Sequence, residues 1–285
     1  MTPSLDRLSP LLERFRVQAQ LFHQGPLCGI THFDARPGRA FLHVLRQGDV
    51  EIRHPARSGL PRRQRVTEPT LIFYPQPWVH DFHNAPAEGS DFLCATVEFE
   101  GGGDHPLVRA LPPLVLLPLH EVEGLSDTLN LLFREAEQVR CGQRLVANRL
   151  FEVVLMQLLR WMIQHPERLG LKVGLLCGLA DPKLAPALVA LHERPGEAWR
   201  VEAMAELAHL SRSAFMTRFK AVLGESPAEY LTQWRLAIAR QRLRQGDAVK
   251  RISDELGYAN PSAFSRVFAQ KVGASPRDWL GQQGE

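Results

Sequence analysis

Two short stretches of this chain carry side chains suited to reading a surface. Ser211 is followed by Arg212, Ser213, Met216, Thr217 and Lys220, and Asn260 by Ser262, Ser265, Arg266 and Ala269. Serine and asparagine cap helices, because their side-chain oxygens accept from the free N–H groups of the first turn. Behind each cap two phenylalanines lie four apart, Phe215 and Phe219, then Phe264 and Phe268. That spacing pins one face of a helix to a core. The opposite face is left to the small, polar and basic residues named above. Small residues let a backbone approach closely, and an arginine such as Arg266 can bond the O6 and N7 of guanine together. One such contact discriminates between bases by about 1–3 kcal/mol. The chemistry on offer is recognition of base-pair edges rather than bond making.

The elements that position these residues are duplicated. Ala203–Leu231 aligns without a gap on Ile252–Leu280, 49 positions later, matching Glu-Leu, Ser-Ala-Phe, Phe, Gly, Ser-Pro and Leu in register. Each copy reads as helix, tight turn, helix. In the second, Pro261 suits the first helical position. A helix-turn-helix sets its second helix in the major groove, with N-terminal side chains on the bases. Pro227 to Gln245 reads as a helix joining the copies, roughly 28 Å long at about 1.5 Å per residue. Successive major-groove faces lie about 34 Å apart, so one chain can address two turns of a duplex.

Composition agrees. The chain has 285 residues, 45% hydrophobic and 23% charged, with a formal net charge of +3. From Pro186 onward stand 14 Lys/Arg against 11 Asp/Glu, whereas the preceding residues hold 20 of each. The positive excess therefore sits with the repeat, a mild indication of an anionic partner. Three prolines break "LPPLVLLPL", the longest apolar run, so no membrane span is expected. The N-terminus lacks a signal-peptide pattern, and the expected localisation is cytoplasmic. None of the four cysteines forms a CxxC pair.

Upstream, "AFLHVL", "GDVEIR", "PTLIFY" and "DFLCATVEF" read as short strands split by turn residues, which suggests an antiparallel barrel or double-sheet roll. From Leu125 two helical stretches follow, the second apolar almost all round, so it must be buried on more than one side, between domains or against a second subunit. The fold class expected is α+β in two domains: a β-rich barrel with following helices, then an all-α double helix-turn-helix. The divisions are 1–120 for the β-rich domain, 121–185 for a helical dimerisation or linker region, and 186–285 for the DNA-binding domain.

The stretches "AELAHLSRSAFMTRFKAVLGESPAEYLTQWRLAIARQRL" and "ISDELGYANPSAFSRVFAQKVGASPRDW" closely resemble the DNA-binding domain of AraC/XylS-type transcriptional regulators, over about 86 residues. The resemblance implies that Arg212, Ser213, Met216 and Thr217, then Pro261, Ser262, Ser265 and Arg266, face the bases. Thr217 stands where relatives often carry arginine, a departure in the first unit. "PTLIFYPQPWVHDFHN" resembles the second cupin motif, with Pro75, Pro77, His80 and Asn84 in its places, which implies that residues 1–120 form a β-rich cupin-like barrel serving as a sensor domain. "FLHVLRQGDVEI" resembles the first only in part: His43 is present, but the His-x-His pair and the following Glu are not. A cupin metal centre needs about three or four ligands round an open site. His43, His80 and His83 supply at most a reduced set, and the same imidazoles also suit hydrogen bonds that hold strands. The resemblance further implies a possible redox pair in Cys28 and Cys94, since some regulators with this sensor subtype respond through sensor cysteines. A sensing thiol needs exposure and thiolate character, and Cys94 in an apolar strand equally suits a buried, inert thiol.

The expectation is a sequence-specific DNA-binding transcriptional regulator rather than an enzyme, an activator and a homodimer. Its partners are double-stranded DNA, RNA polymerase and an unidentified small molecule or oxidant, and no cofactor is expected. The rival reading is a metal-dependent cupin enzyme fused to a DNA-binding domain.

Overall fold

The computed structural model describes residues 5–85 and 89–282. Contacts divide the chain into two compact units: Arg16–Gly170, and Met1–Phe15 together with Leu171–Glu285. The sequence division placed the first fifteen residues with the sensor. In the structure the helix α1 (Ser9–Leu12) belongs to the helical unit, where Leu11 and Phe15 are buried.

Among its described residues the unit Arg16–Gly170 holds nine strands: β1 (Val17–Leu27), β2 (Ile30–Phe33), β3 (Arg39–Gln47), β4 (Val50–Arg53), β5 (Arg63–Val66), β6 (Thr70–Tyr74), β7 (His80–His83), β8 (Ser90–Phe99) and β9 (Val115–Pro118). They form two antiparallel sheets, ordered β1-β8-β3-β6-β9 and β2-β7-β4-β5. Phe33, Phe41, Leu45, Ile52, Tyr74, Phe82, Phe92 and Cys94 make the core of this unit. Apolar alternation alone finds β3, β4, β6 and β8. It misses β1, which carries Gly25 and Pro26 and alternates exposed residues, Gln18, Gln20 and Gln24 among them, with mostly half-buried ones. An edge strand tolerates such residues, since a proline there forfeits no inner ladder bond.

Between β8 and β9 lies a short helix, α2 (Pro106–Ala110), and after β9 come α3 (Leu125–Glu137) and α4 (Gln143–Gln164). α4 packs on α3 and β1. At the irregularity between Leu21 and His23 of β1, the Leu21 N–H donates to Asn148 Oδ1 on α4 at 2.9 Å, so a backbone donor near the bulge stays satisfied. α4 buries Phe151, Val154, Leu155, Leu158, Leu159 and Met162, yet leaves Leu145 67% and Val153 44% exposed. It is thus buried on one broad face, not all round.

The helical unit continues with α5 (Leu175–Ala180), α6 (Ala185–Glu193), α7 (Val201–Leu207), α8 (Arg212–Leu223), α9 (Pro227–Arg244), α10 (Val249–Glu255), α11 (Pro261–Val272) and α12 (Pro276–Gln282). The span 121–185, read as a helical dimerisation or linker region, contains α5, which packs against α6 and α8. A Cβ on Gly178 would press to 2.8 Å on Leu188 and Leu223, so glycine permits that close packing. No described helix is long and apolar enough to cross a membrane.

Candidate nucleic-acid interface

α8 and α11 are built alike. Ser211 Oγ accepts from Ala214 N at 3.2 Å and Asn260 Oδ1 from Ala263 N at 2.8 Å, and Pro261 opens α11. Each helix ends on a left-handed glycine, Gly224 (φ +84°) or Gly273 (φ +89°). Phe215, Phe219, Phe264 and Phe268 are fully buried. Arg212, Ser213, Met216, Thr217, Ser262 and Arg266 are exposed, and Pro261 and Ser265 half-buried. The residues the sequence assigned to reading therefore lie on accessible helix faces, in two helices of one compact unit.

The first unit differs from the second in two respects the pattern did not reveal. Arg212 Nε lies 3.2 Å from Glu202 Oε1 on α7, an exposed ion pair, whereas Arg266 has no ion pair among the described residues. The turns also differ. His209 (φ +51°) is the left-handed residue of the first turn and Gly257 (φ +74°) that of the second. These two are 48 positions apart, although the surrounding identities repeat every 49, so the second turn is one residue longer between its left-handed residue and its cap.

Several contacts brace the readers. Arg218 on α8 binds Asp181 Oδ2 at 2.7–2.8 Å, while Asp181 Oδ1 accepts from Lys183 N and Leu184 N ahead of α6. Lys271 on α11 reaches Glu229 Oε1 in the first turn of α9 at 2.8 Å, and that cation holds the carboxyl below its ordinary range. Ser226 Oγ caps α9 through Glu229 N.

In the sheet unit, His43 Nε2 and His80 Nε2 stand 3.0 Å apart, both fully buried. His80 Nδ1 lies 2.9 Å from the Trp78 carbonyl, which can only accept, so Nδ1 carries the hydrogen. With both rings neutral, His43 Nε2 then donates to the bare Nε2 of His80, and His43 Nδ1 is left as a buried acceptor without a protein partner. Burial lowers the pKa of His80 to about 3 and that of His43 well below the usual value. His83 falls three positions beyond His80 on the alternating strand β7, half-buried, on the other face. No group of three or more His, Cys, Asp or Glu gathers for a metal among the described residues. The residues present thus do not fit a cupin metal centre: two imidazoles meet and bond each other.

The two cysteines are not brought together. Cys94 pairs in register with His23 on β1, while Cys28 stands five residues further along that chain. Five residues of strand span roughly 16 Å, against the 4.4–6.8 Å of about every disulfide-bonded Cα pair. Cys28 is exposed; Cys94 is buried, which pushes its thiol pKa well up. A mostly apolar cleft of about 440 Å³ opens elsewhere in this unit, lined by Pro37, Pro75, Gln76, Phe99, Val108 and Arg109.

Two packed sheets followed by helices, with a duplicated helix-turn-helix beyond, define a two-domain protein that joins a double-sheet β unit to a helical unit. A family model described as Cupin matches residues 6–164, more than half of the sequence, and one described as Helix-turn-helix domain matches residues 204–282. The chain belongs to that cupin family and carries a helix-turn-helix domain over residues 204–282. A putative AraC-like transcription regulator of Streptomyces lividans is 37% identical over 177 residues, 61% of this chain and 57% of the relative. The match thus spans little more than half of that relative's length. RclR of Escherichia coli (strain K12), an RCS-specific HTH-type transcriptional activator, is 27% identical over 242 residues, 83% of this chain and 82% of its own. Among solved structures, a transcriptional regulator of the AraC-type DNA-binding domain-containing proteins from Chromobacterium violaceum is 27% identical. It covers 36% of this chain and 94% of its own, with a TM-score of 0.34.

Proposed function

We propose that the protein is a sequence-specific transcriptional regulator that binds double-stranded DNA through α8 and α11. The observation that carries this reading is the matched pair of capped helices, each pinned by two buried phenylalanines and each presenting a small, polar, arginine-bearing face to solvent. Arg212, Ser213, Met216 and Thr217 read one groove segment, and Pro261, Ser262, Ser265 and Arg266 the next. Arg266, without an ion-pair partner among the described residues, is the primary guanine reader. Arg212 exchanges Glu202 for DNA on binding.

The sheet unit acts as the sensor rather than as a catalyst. Its apolar cleft with Arg109 suits a small molecule, and exposed Cys28 is where an oxidant would act first. The exposed Leu145, Val146 and Val153 on α4 provide the face of a homodimer. The name of the E. coli relative favours activation, with RNA polymerase as the further partner, in the cytoplasm. Footprinting on the DNA flanking its own gene, with and without oxidant or candidate ligands, tests the reading. A protected pair of adjacent groove segments supports it, and uniform binding to all sequences refutes it.

A further inference from the structure

The two helix-turn-helix units touch away from α9, where a loop leading into the first meets the turn of the second. A Cβ on Gly196 would run into the Glu255 carbonyl oxygen, and one on Gly257 into the Gly196 carbonyl oxygen, so two glycine backbones lie in direct apposition. Gly257 also sits at φ +74°, which a side chain resists. Arg235 on α9 closes the junction. Its Nε donates to the Pro195 carbonyl at 2.7 Å and its Nη2 to the Glu197 carbonyl at 2.9 Å, the residues on either side of Gly196. The same guanidinium lies over the Tyr258 ring of the second turn, 5.6 Å from its centroid. The loop is itself folded: Arg194 pairs with Glu197 and stacks on Trp199, whose Nε1 donates to the Arg194 carbonyl at 2.8 Å.

We infer that Arg235, Gly196 and Gly257 form a joint that fixes the separation and angle of α8 and α11, and so sets the one spacing between half-sites that the protein accepts. The inference rests on the proposed DNA-binding function. None of the three residues is a base reader. They are positioning residues, and α9 alone does not do their work: a helix links the units at its two ends, whereas the loop ties the first unit to the turn of the second. Two binding modules gain from linkage only while the geometry lets both engage together. A fixed joint gives that gain to one spacing and withholds it from the others.

The test is selection of bound duplexes from a random pool by the full-length protein, followed by affinity measurement on duplexes whose half-site separation changes in single base-pair steps. The parent chain is expected to enrich two half-site sequences at one separation. Arg235→Ala is expected to enrich the same letters at several separations, with affinity for the parent's best site lowered about tenfold. Arg235→Lys, which keeps the charge but not the two-carbonyl bracket, should fall between, and Gly257→Ala should resemble Arg235→Ala. Unchanged spacing and affinity in Arg235→Ala would overturn the joint and leave the DNA-binding reading standing. So would loss of both half-site sequences in Arg235→Ala and Arg235→Lys alike, since the residue would then support the fold only. If the parent chain enriched no motif, both inferences would fall together.

Discussion

His192 stacks on Trp234 at an interplanar angle of 29°, ring centroids 4.1 Å apart, with its Nε2 2.5 Å from the Tyr230 hydroxyl. Burial, aided by the nearby Arg14 charge, lowers its pKa from 6.5 to about 3. The unfolded chain takes up this proton near pH 6.5 and the folded chain does not. The folded state therefore binds fewer protons between about pH 6.5 and 3. The contribution is full above that window and is lost as pH falls through it, by about 2 kcal/mol at pH 5 for one such imidazole. His80 and His43 act in the same direction in the other unit. Urea midpoints should drop from pH 7 to pH 5, and His192→Gln should flatten that drop for the helical unit. An unaltered slope would show that His192 does not carry it.

The separation of Cys28 from Cys94 yields an order of reaction. Exposed Cys28 should be alkylated first in a mild iodoacetamide pulse, while Cys94 should react only once β8 opens, since the thiolate is the nucleophile and burial disfavours it. Mass spectrometry after oxidant treatment should find no Cys28–Cys94 crosslink in the folded protein. Detection of that crosslink with the native spectrum retained would contradict the strand register.

Arg266 and Arg212 should respond differently to mutation. Arg266→Ala is expected to cost about 1–3 kcal/mol at one base position and to relax preference only there. Glu202→Gln should tighten binding by at most about fivefold, because an exposed ion pair is worth up to about 1 kcal/mol. Competition binding with singly substituted duplexes at fixed salt separates the two. A uniform loss across all sequences in Arg266→Ala would make it a phosphate contact instead.

Most of the helical unit can be read in the sequence because duplication repeats its signals: caps, paired phenylalanines, terminal glycines. What could not be read is what the repeat conceals. The ungapped alignment equates Ala208 with Gly257, yet the left-handed residue of the first turn is His209. A non-glycine side chain there costs about 1 kcal/mol, and His209→Gly should recover part of it, visible as a rise in the melting temperature. The joint at Gly196 was hidden because it depends on a contact between distant loops, which no local pattern encodes. In the sheet unit, the strands with strong apolar alternation were legible, and the polar edge strand β1 was not. The cupin-like histidines were legible as residues, but whether they converge is decided by which face of β7 His80 and His83 occupy and by how that strand packs over His43 of β3.

The segment ahead of β1 gives the last prediction. Phe15 is 2% exposed and meets Trp234 edge-on, ring centroids 5.2 Å apart. Arg14 donates to the carbonyls of His192 and Glu193 at 2.9 and 2.7 Å, Gln241 Nε2 donates to the Arg14 carbonyl at 2.6 Å, and Arg7 donates to the Leu179 carbonyl at 2.8 Å. These bonds cap the end of α6 and bind the segment to α9, the helix that joins the two readers. Removing a buried phenylalanine costs about 3–5 kcal/mol. Phe15→Ala should therefore destabilise the helical unit, seen as earlier proteolysis between Leu171 and Gln282, while the sheet unit keeps its own resistance. Arg14→Ala should do the same more weakly. If Phe15→Ala instead exposed the sheet unit first, the opening residues would belong with the sensor, as a boundary drawn from the sequence alone would have them.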